Sequence, residues 1–324
     1  MMARPPRQAE GERAGSAESL TLRVSAPAKV NLCLFVGPPR ADGRHELVTL
    51  FESVSLCDEL LVQVGTSGGD EVICAGVEGP NLVAEALAGL RRRGWRAPPL
   101  RVVIDKRIPV AAGMGGGSAD AAALLRLAPR LAPISPGELE ALARHLGADV
   151  PSQLRPGLVL GTGAGDIVQS RAPLAPHALV IVPLPARLST PAVYAEADRL
   201  GLPRAELRTT RRELERSLQP GTRLPDGLLV NDLEPAARSL CPAVSEALEA
   251  VSALADRAFV CGSGPTVAGL WWGAAAAERA REAASRLRAR HPGASAVGPV
   301  LTPPAPAGAA AQPHPRAAAQ FQCE

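Results

Sequence analysis

The chain has 324 residues, long enough for two domains, and 46% of them are hydrophobic, so a substantial core can form. Aromatic residues supply only 2%, which leaves Ala, Leu and Val to build that core. A formal net charge of +3 excludes the strongly basic surface of a nucleic-acid binder, and no apolar run is long enough to span a membrane.

Residues 1–19 and 303–324 are rich in Ala, Pro, Gly, Gln and Arg without hydrophobic periodicity, and both read as disordered tails. Glu10, Glu12 and Glu18, with no apolar segment beside them, argue against a secretory signal or transit peptide, so the expected compartment is the cytoplasm. Between the tails, alternating apolar residues predict two early strands, over 20–26 and 30–36. Residues 59–64 and 71–74 predict two more, joined by a turn at Gly68-Gly69-Asp70. Asn81 opens a helix carrying Leu82, Ala86, Leu87 and Leu90. A strand follows at 101–104, then a glycine-rich loop and a helix stopped near Pro129. Ser135-Pro136-Gly137-Glu138 is a capping box for a helix that Gly147 ends. A proline-rich passage, 173–191, carries a strand near 178–183. Helices are predicted near 207–218, 232–240, 243–256 and 274–290, with strands at 258–261, 267–272 and 294–300. Strands and helices mixed without strict alternation indicate an α+β fold. The six cysteines show no Cys-x-x-Cys and no histidine at zinc spacing, which predicts buried free thiols and no assigned metal site.

The loop carries the most chemistry. It reads Pro109-Val110-Ala111-Ala112-Gly113-Met114-Gly115-Gly116-Gly117-Ser118-Ala119-Asp120. Glycine lets the backbone approach a ligand, a serine here suits a helix N-cap, and amides at a helix N-terminus bind phosphate. The loop lacks the Lys-Ser/Thr ending of a Walker loop and the last glycine of the dinucleotide fingerprint. By itself it fits a phosphate cradle or a plain tight turn.

Two further segments widen the pattern: Ala26-Pro27-Ala28-Lys29-Val30-Asn31-Leu32 before the loop, and Cys261-Gly262-Ser263-Gly264-Pro265-Thr266 after it. In this order the three segments resemble the GHMP kinase superfamily, over about residues 21–302. The resemblance implies a two-domain α+β fold, an ATP-binding domain over 20–170, a second GHMP domain over 171–302, and an active site in the cleft between them. It implies ATP and Mg2+ as cofactors. Arg40-Ala41-Asp42-Gly43-Arg44-His45-Glu46-Leu47, the triple glycine, Leu146-Gly147-Ala148-Asp149-Val150-Pro151 and Asn231-Asp232-Leu233-Glu234 are similar to the branch that phosphorylates a methylerythritol unit carrying cytidine diphosphate, in the non-mevalonate route to isoprenoid precursors. The expected partner is therefore a small molecule with a cytidine diphosphate group, on a monomer or homodimer that binds neither nucleic acid nor membrane. A homoserine- or mevalonate-type kinase fits the loop and Asp149 alone, as does a catalytically silent nucleotide-binding member.

The same resemblance implies roles. Pro109, Gly113, Gly115, Gly116, Gly117 and Ser118 would hold the nucleotide phosphates, with the Ser118 hydroxyl a candidate magnesium ligand. Asn81 and Lys106 would approach the adenosine. Asp149 would be the general base, although it also fits a helix N-cap, and Lys29 its cationic partner. Asn31 would orient the acceptor hydroxyl, and His45 and Tyr194 would bind and stack on cytosine. Gly262, Ser263 and Gly264 would close the site, or form only a β-turn. Asn231 and Asp232 fit helix capping without a ligand. The chain departs from the family at Ala119 and Asp120, where a serine and an asparagine are usual, and at Arg44, where a tyrosine is usual. Asp120 would repel phosphate if it faced inward; as an early-turn acid facing solvent it would instead favour the helix dipole.

Overall fold

The computed structural model describes residues 20–65, 68–77 and 79–301; both tails and Cys323 lie outside the described residues. Two 20-residue strands, β1 (Leu20–Pro39) and β2 (His45–Val64), pair antiparallel along nearly their whole length. The two predicted early strands are thus one, broken only by register shifts between Pro27 and Lys29, between Asn31 and Cys33, and near its end. Bulges of this kind re-aim side chains, and here they flank Lys29 and Asn31 on either side.

β3 (Glu71–Cys74) does not form a hairpin with β2 as predicted. β4 (Leu100–Asp105) lies between them, antiparallel to β2 and parallel to β3. The sheet order is β3-β4-β2-β5-β6, with β1 on β2, where β5 is Leu158–Thr162 and β6 is Ile167–Arg171. A second, antiparallel sheet has the order β10-β7-β9-β8: β7 (His177–Val182), β8 (Arg257–Val260), β9 (Val267–Trp272) and β10 (Ser295–Val297).

The first sheet carries α1 (Leu82–Arg92), α2 (Gly116–Leu131), α3 (Pro136–Leu146) and α4 (Val150–Gln153). Asn81 caps α1 by accepting from the Val83 amide, and the Ser135–Glu138 box caps α3 in both directions. α2 begins earlier than its serine suggests. Its N-cap is Gly115 in the left-handed conformation, so Ser118 lies inside the first turn. Pro129 sits within α2 rather than ending it, because so near the C-terminus it forfeits one hydrogen bond and the chain turns for two more residues.

The remaining helices are α5 (Thr190–Arg199), α6 (Arg208–Ser217), α7 (Glu234–Leu240), α8 (Pro242–Ser252) and α9 (Ala276–Leu287). β7 shows how the two halves join. Ala178, Val180 and Val182 pack with α8 and α9, while Leu179 and Ile181 on its opposite face join the core of the first half. Among the described residues no helix is long and apolar enough to cross a membrane. Cys33, Cys241 and Cys261 are buried free thiols as expected, whereas Cys57 and Cys74 are only half-buried.

Candidate active site

A cleft of about 430 Å³ opens where β1, the glycine loop, α4, α5 and the 261–264 turn meet. Lys29 lies at its floor with only 4% of its surface exposed. Its ammonium donates to Asn31 Oδ1 at 2.8 Å and to the Gly113 carbonyl at 3.0 Å, and it lies 3.5 Å from Asp149 Oδ2. The Phe51 ring sits beneath it, 5.5 Å from Nζ to the centroid. Asn31 donates to Thr49 Oγ1, which in turn donates to the Cys33 carbonyl, so the side chain is held at both ends. Asp149 precedes α4 but makes no side-chain capping bond, which leaves its partly exposed carboxylate facing Lys29.

The loop is shaped by its backbone. Ala111, Gly113 and Gly115 take positive φ values of 55°, 77° and 67°. A Cβ on Gly113 would overlap the Cys261 carbonyl oxygen, and one on Gly115 would stand 3.1 Å from Lys29 Cγ and 3.6 Å from Asp149 Oδ2. Without side chains the first amides of α2 face the cleft, a fitting cradle for an anion. Pro109, Gly116, Gly117, Ser118, Asn81 and Lys106 also line it.

Across the cleft, the Gly262 carbonyl accepts from Asn231 Nδ2, which donates to the Val260 carbonyl as well, while Asn231 Oδ1 accepts from Leu233 N. Asn231 therefore stitches the 260–262 turn in place, and the N-cap position of α7 falls to Leu233. Asp232 pairs with Arg204. Ser263 Oγ meets Thr190 Oγ1 at 2.9 Å. Gly262 and Ser263 line the cleft, and Gly264 packs behind them against Val260 and the loop.

Tyr194 lines the far end, its hydroxyl pKa pushed up by burial and by the nearby Asp149. His45 lies behind it, stacked ring on ring at 5.3 Å, with Nε2 2.9 Å from Asp198 Oδ1. Arg44 is held by Asp42 at the surface, outside the residues that line the cleft.

Of the two readings of Asp120, the inward one holds. The side chain is buried, and its Oδ2 pairs with Lys106 at 2.8 Å. Lys106 also binds Asp58, a fully buried acid on β2. Burial, with Asp58 beside it and Lys106 pulling the other way, raises the Asp120 carboxyl to about 7. Thr49, Phe51, Asp58 and Asp198 were not among the predicted site residues; all but Asp198 lie on β2, whose first half was not predicted as a strand.

Comparison with known proteins agrees with this geometry. The N-terminal domain model of the GHMP kinases matches residues 81–157, and the C-terminal model matches 207–289. A 4-diphosphocytidyl-2-C-methyl-D-erythritol kinase of Salinispora tropica is 40% identical over 294 residues, covering 86% of this chain and 92% of that protein. The enzyme of the same name from Nocardia farcinica is 42% identical over 265 residues, 76% and 83% of the two chains. A crystal structure of 4-(cytidine 5'-diphospho)-2C-methyl-D-erythritol kinase superposes with a TM-score of 0.66 at 35% identity, covering 86% of this chain and 99% of that one. A homoserine kinase from Cytophaga hutchinsonii, at 20% identity and a TM-score of 0.55, shares the fold. The chain belongs to the GHMP kinase superfamily, and within it to the family of the 4-diphosphocytidyl-2-C-methyl-D-erythritol kinases.

Proposed function

We propose that this protein transfers the γ-phosphate of ATP to the 2-hydroxyl of 4-diphosphocytidyl-2-C-methyl-D-erythritol. The observation that carries the reading is the meeting of Lys29, Asp149 and the Gly115 backbone at one point of the cleft. A phosphate seated on the amides of 115–118 stands beside a buried cation and a carboxylate, which is what phosphoryl transfer needs. Asp149 accepts the proton of the acceptor hydroxyl. The freed oxygen bonds to the γ-phosphorus as the bond to the leaving oxygen of ADP breaks. Lys29, held by Asn31 and Gly113 and 3.5 Å from the Asp149 carboxylate, screens the charge on the transferring group. Asn31, its oxygen on Lys29 and its amide on Thr49, fixes where that ammonium points.

Mg2+, when bound with the nucleotide, would add further charge screening, and the Ser118 hydroxyl, which lines the cradle, is a group that would face it. Tyr194 offers its ring to the cytosine, and His45, oriented by Asp198, supports that ring from behind.

The test is ADP release by the purified full chain with ATP, Mg2+ and a panel of acceptors. Turnover is expected with the cytidyl-diphosphate acceptor and not with homoserine or mevalonate. Turnover confined to either of those two acceptors refutes the reading.

A further inference from the structure

The glycine loop is tied at both ends to a single ammonium group. Lys106 follows the last residue of β4, and its Nζ binds Asp58 on β2 and Asp120 on α2. Asp58 does more than pair with it. Its other oxygen accepts the backbone amides of Arg107 and Ile108, the residues that lead into the loop. Nζ also lies 3.1 Å from where a Cβ of Gly116, the first residue of α2, would stand. The group therefore sits directly under the start of the cradle. Asp58 is fully buried and the Asp120 side chain is 4% exposed, while Lys106, 14% exposed, reaches the cleft wall, so the two acids are held from the protein side, where charged hydrogen bonds hold geometry well.

Resting on the reading of 115–118 as the phosphate cradle, we propose that Asp58, Lys106 and Asp120 form a buried clasp that sets the shape of the phosphate loop before nucleotide arrives. Lys106 and Asp120 are then positioning residues, acting through the loop amides. A flexible loop closed at its two ends loses conformational freedom in advance, so less remains to be lost on binding. Asp120 belongs to this chain's own version of the loop. It spends one oxygen on the ammonium, while Oδ1 has no hydrogen-bond partner among the described residues.

One cation faces two buried acids, so removing Asp120 leaves Lys106 and Asp58 as a matched pair and the variant is expected to fold. Asp120→Asn keeps an acceptor for the ammonium, and Asp120→Ala does not. In the ligand-free protein, hydrogen exchange at the amides of 113–118 is expected to quicken about tenfold in Asp120→Ala and to stay near wild type in Asp120→Asn. The KM for ATP should rise in the alanine variant while the acceptor KM holds. Unchanged loop exchange in Asp120→Ala overturns the proposal, as does equal quickening across β2 and β4, which would mark a general structural loss. The exchange measurement needs no substrate. A chain that shows the expected exchange pattern without kinase turnover supports the clasp and refutes the kinase reading.

Discussion

Lys29 keeps a charge in a place with almost no water, and three oxygens make that tolerable: Asn31 Oδ1, the Gly113 carbonyl and Asp149 Oδ2. Two of them hold the ammonium still, and the third belongs to the proposed proton acceptor. Asp149→Asn keeps the shape and removes the proton acceptor. It is expected to lower kcat by about 10²- to 10⁴-fold while ATP still binds, as single-turnover rates and equilibrium titration would show. Near-normal turnover would take Asp149 out of the base role. Lys29 and Asp149 were legible in the sequence because each sits in a motif whose neighbours fix its place. Asp120 was not. With Ser118 as N-cap it would be an exposed first-turn acid, but the helix starts at Gly115 and its inward face meets Lys106. A residue's partner on another strand leaves no mark in local periodicity.

β5, β6 and α5 were not read from the sequence, nor was the first half of β2, where buried polar residues are the reason. The first half of β2 contains Thr49, Glu52, Ser53 and, further on, Asp58, which break the expected alternation. Each is satisfied in the fold, by Asn31, by His177, by Gln153 and by Lys106. Capped helices such as α1 and α3 were legible because their signals are local. The β2–β3 pairing failed because the strand that separates them arrives later in the chain. At the same scale, Gly113 has a positive φ and no room for a Cβ against the Cys261 carbonyl. Gly113→Ala should therefore displace the loop, raising the KM for ATP about tenfold or more and lowering the melting temperature. Steady-state kinetics with a thermal melt checks both. An alanine variant with wild-type values would show that the contact is slack.

Across the whole molecule, the two sheets are joined by a buried ion pair, Glu52 on β2 and His177 on β7, at 2.7 Å, with Trp272 tilted over the imidazole. Burial opposes the charged ring, but the Glu52 carboxylate outweighs it and holds the His177 pKa above its ordinary 6.5. A raised folded-state pKa means stability that is full below about 6.5 and lost as pH rises through the folded value. Urea midpoints should thus fall across that window in wild type more than in a His177→Gln variant. The same substitution keeps a hydrogen-bond donor for Glu52 but removes the cation, so the stability it costs should appear at lower pH, where the wild-type pair is intact. A flat difference between the two proteins across pH would exclude His177 as the titrating group. The α+β class was legible from the order of strands and helices; the division into two sheets was not. Nor was the pairing between sheets, because it depends on residues brought together only by tertiary packing.

The close backbone contact between Gly113 and the Cys261–Gly264 turn also bears on synthesis. One wall of the cradle is encoded in the first half of the gene and the other near its end. A ribosome that has made only the first half has made the amides without their backing. A chain cut before Cys261 would keep the amides of 115–118 and the clasp beneath them, and lose the backbone that packs against Gly113.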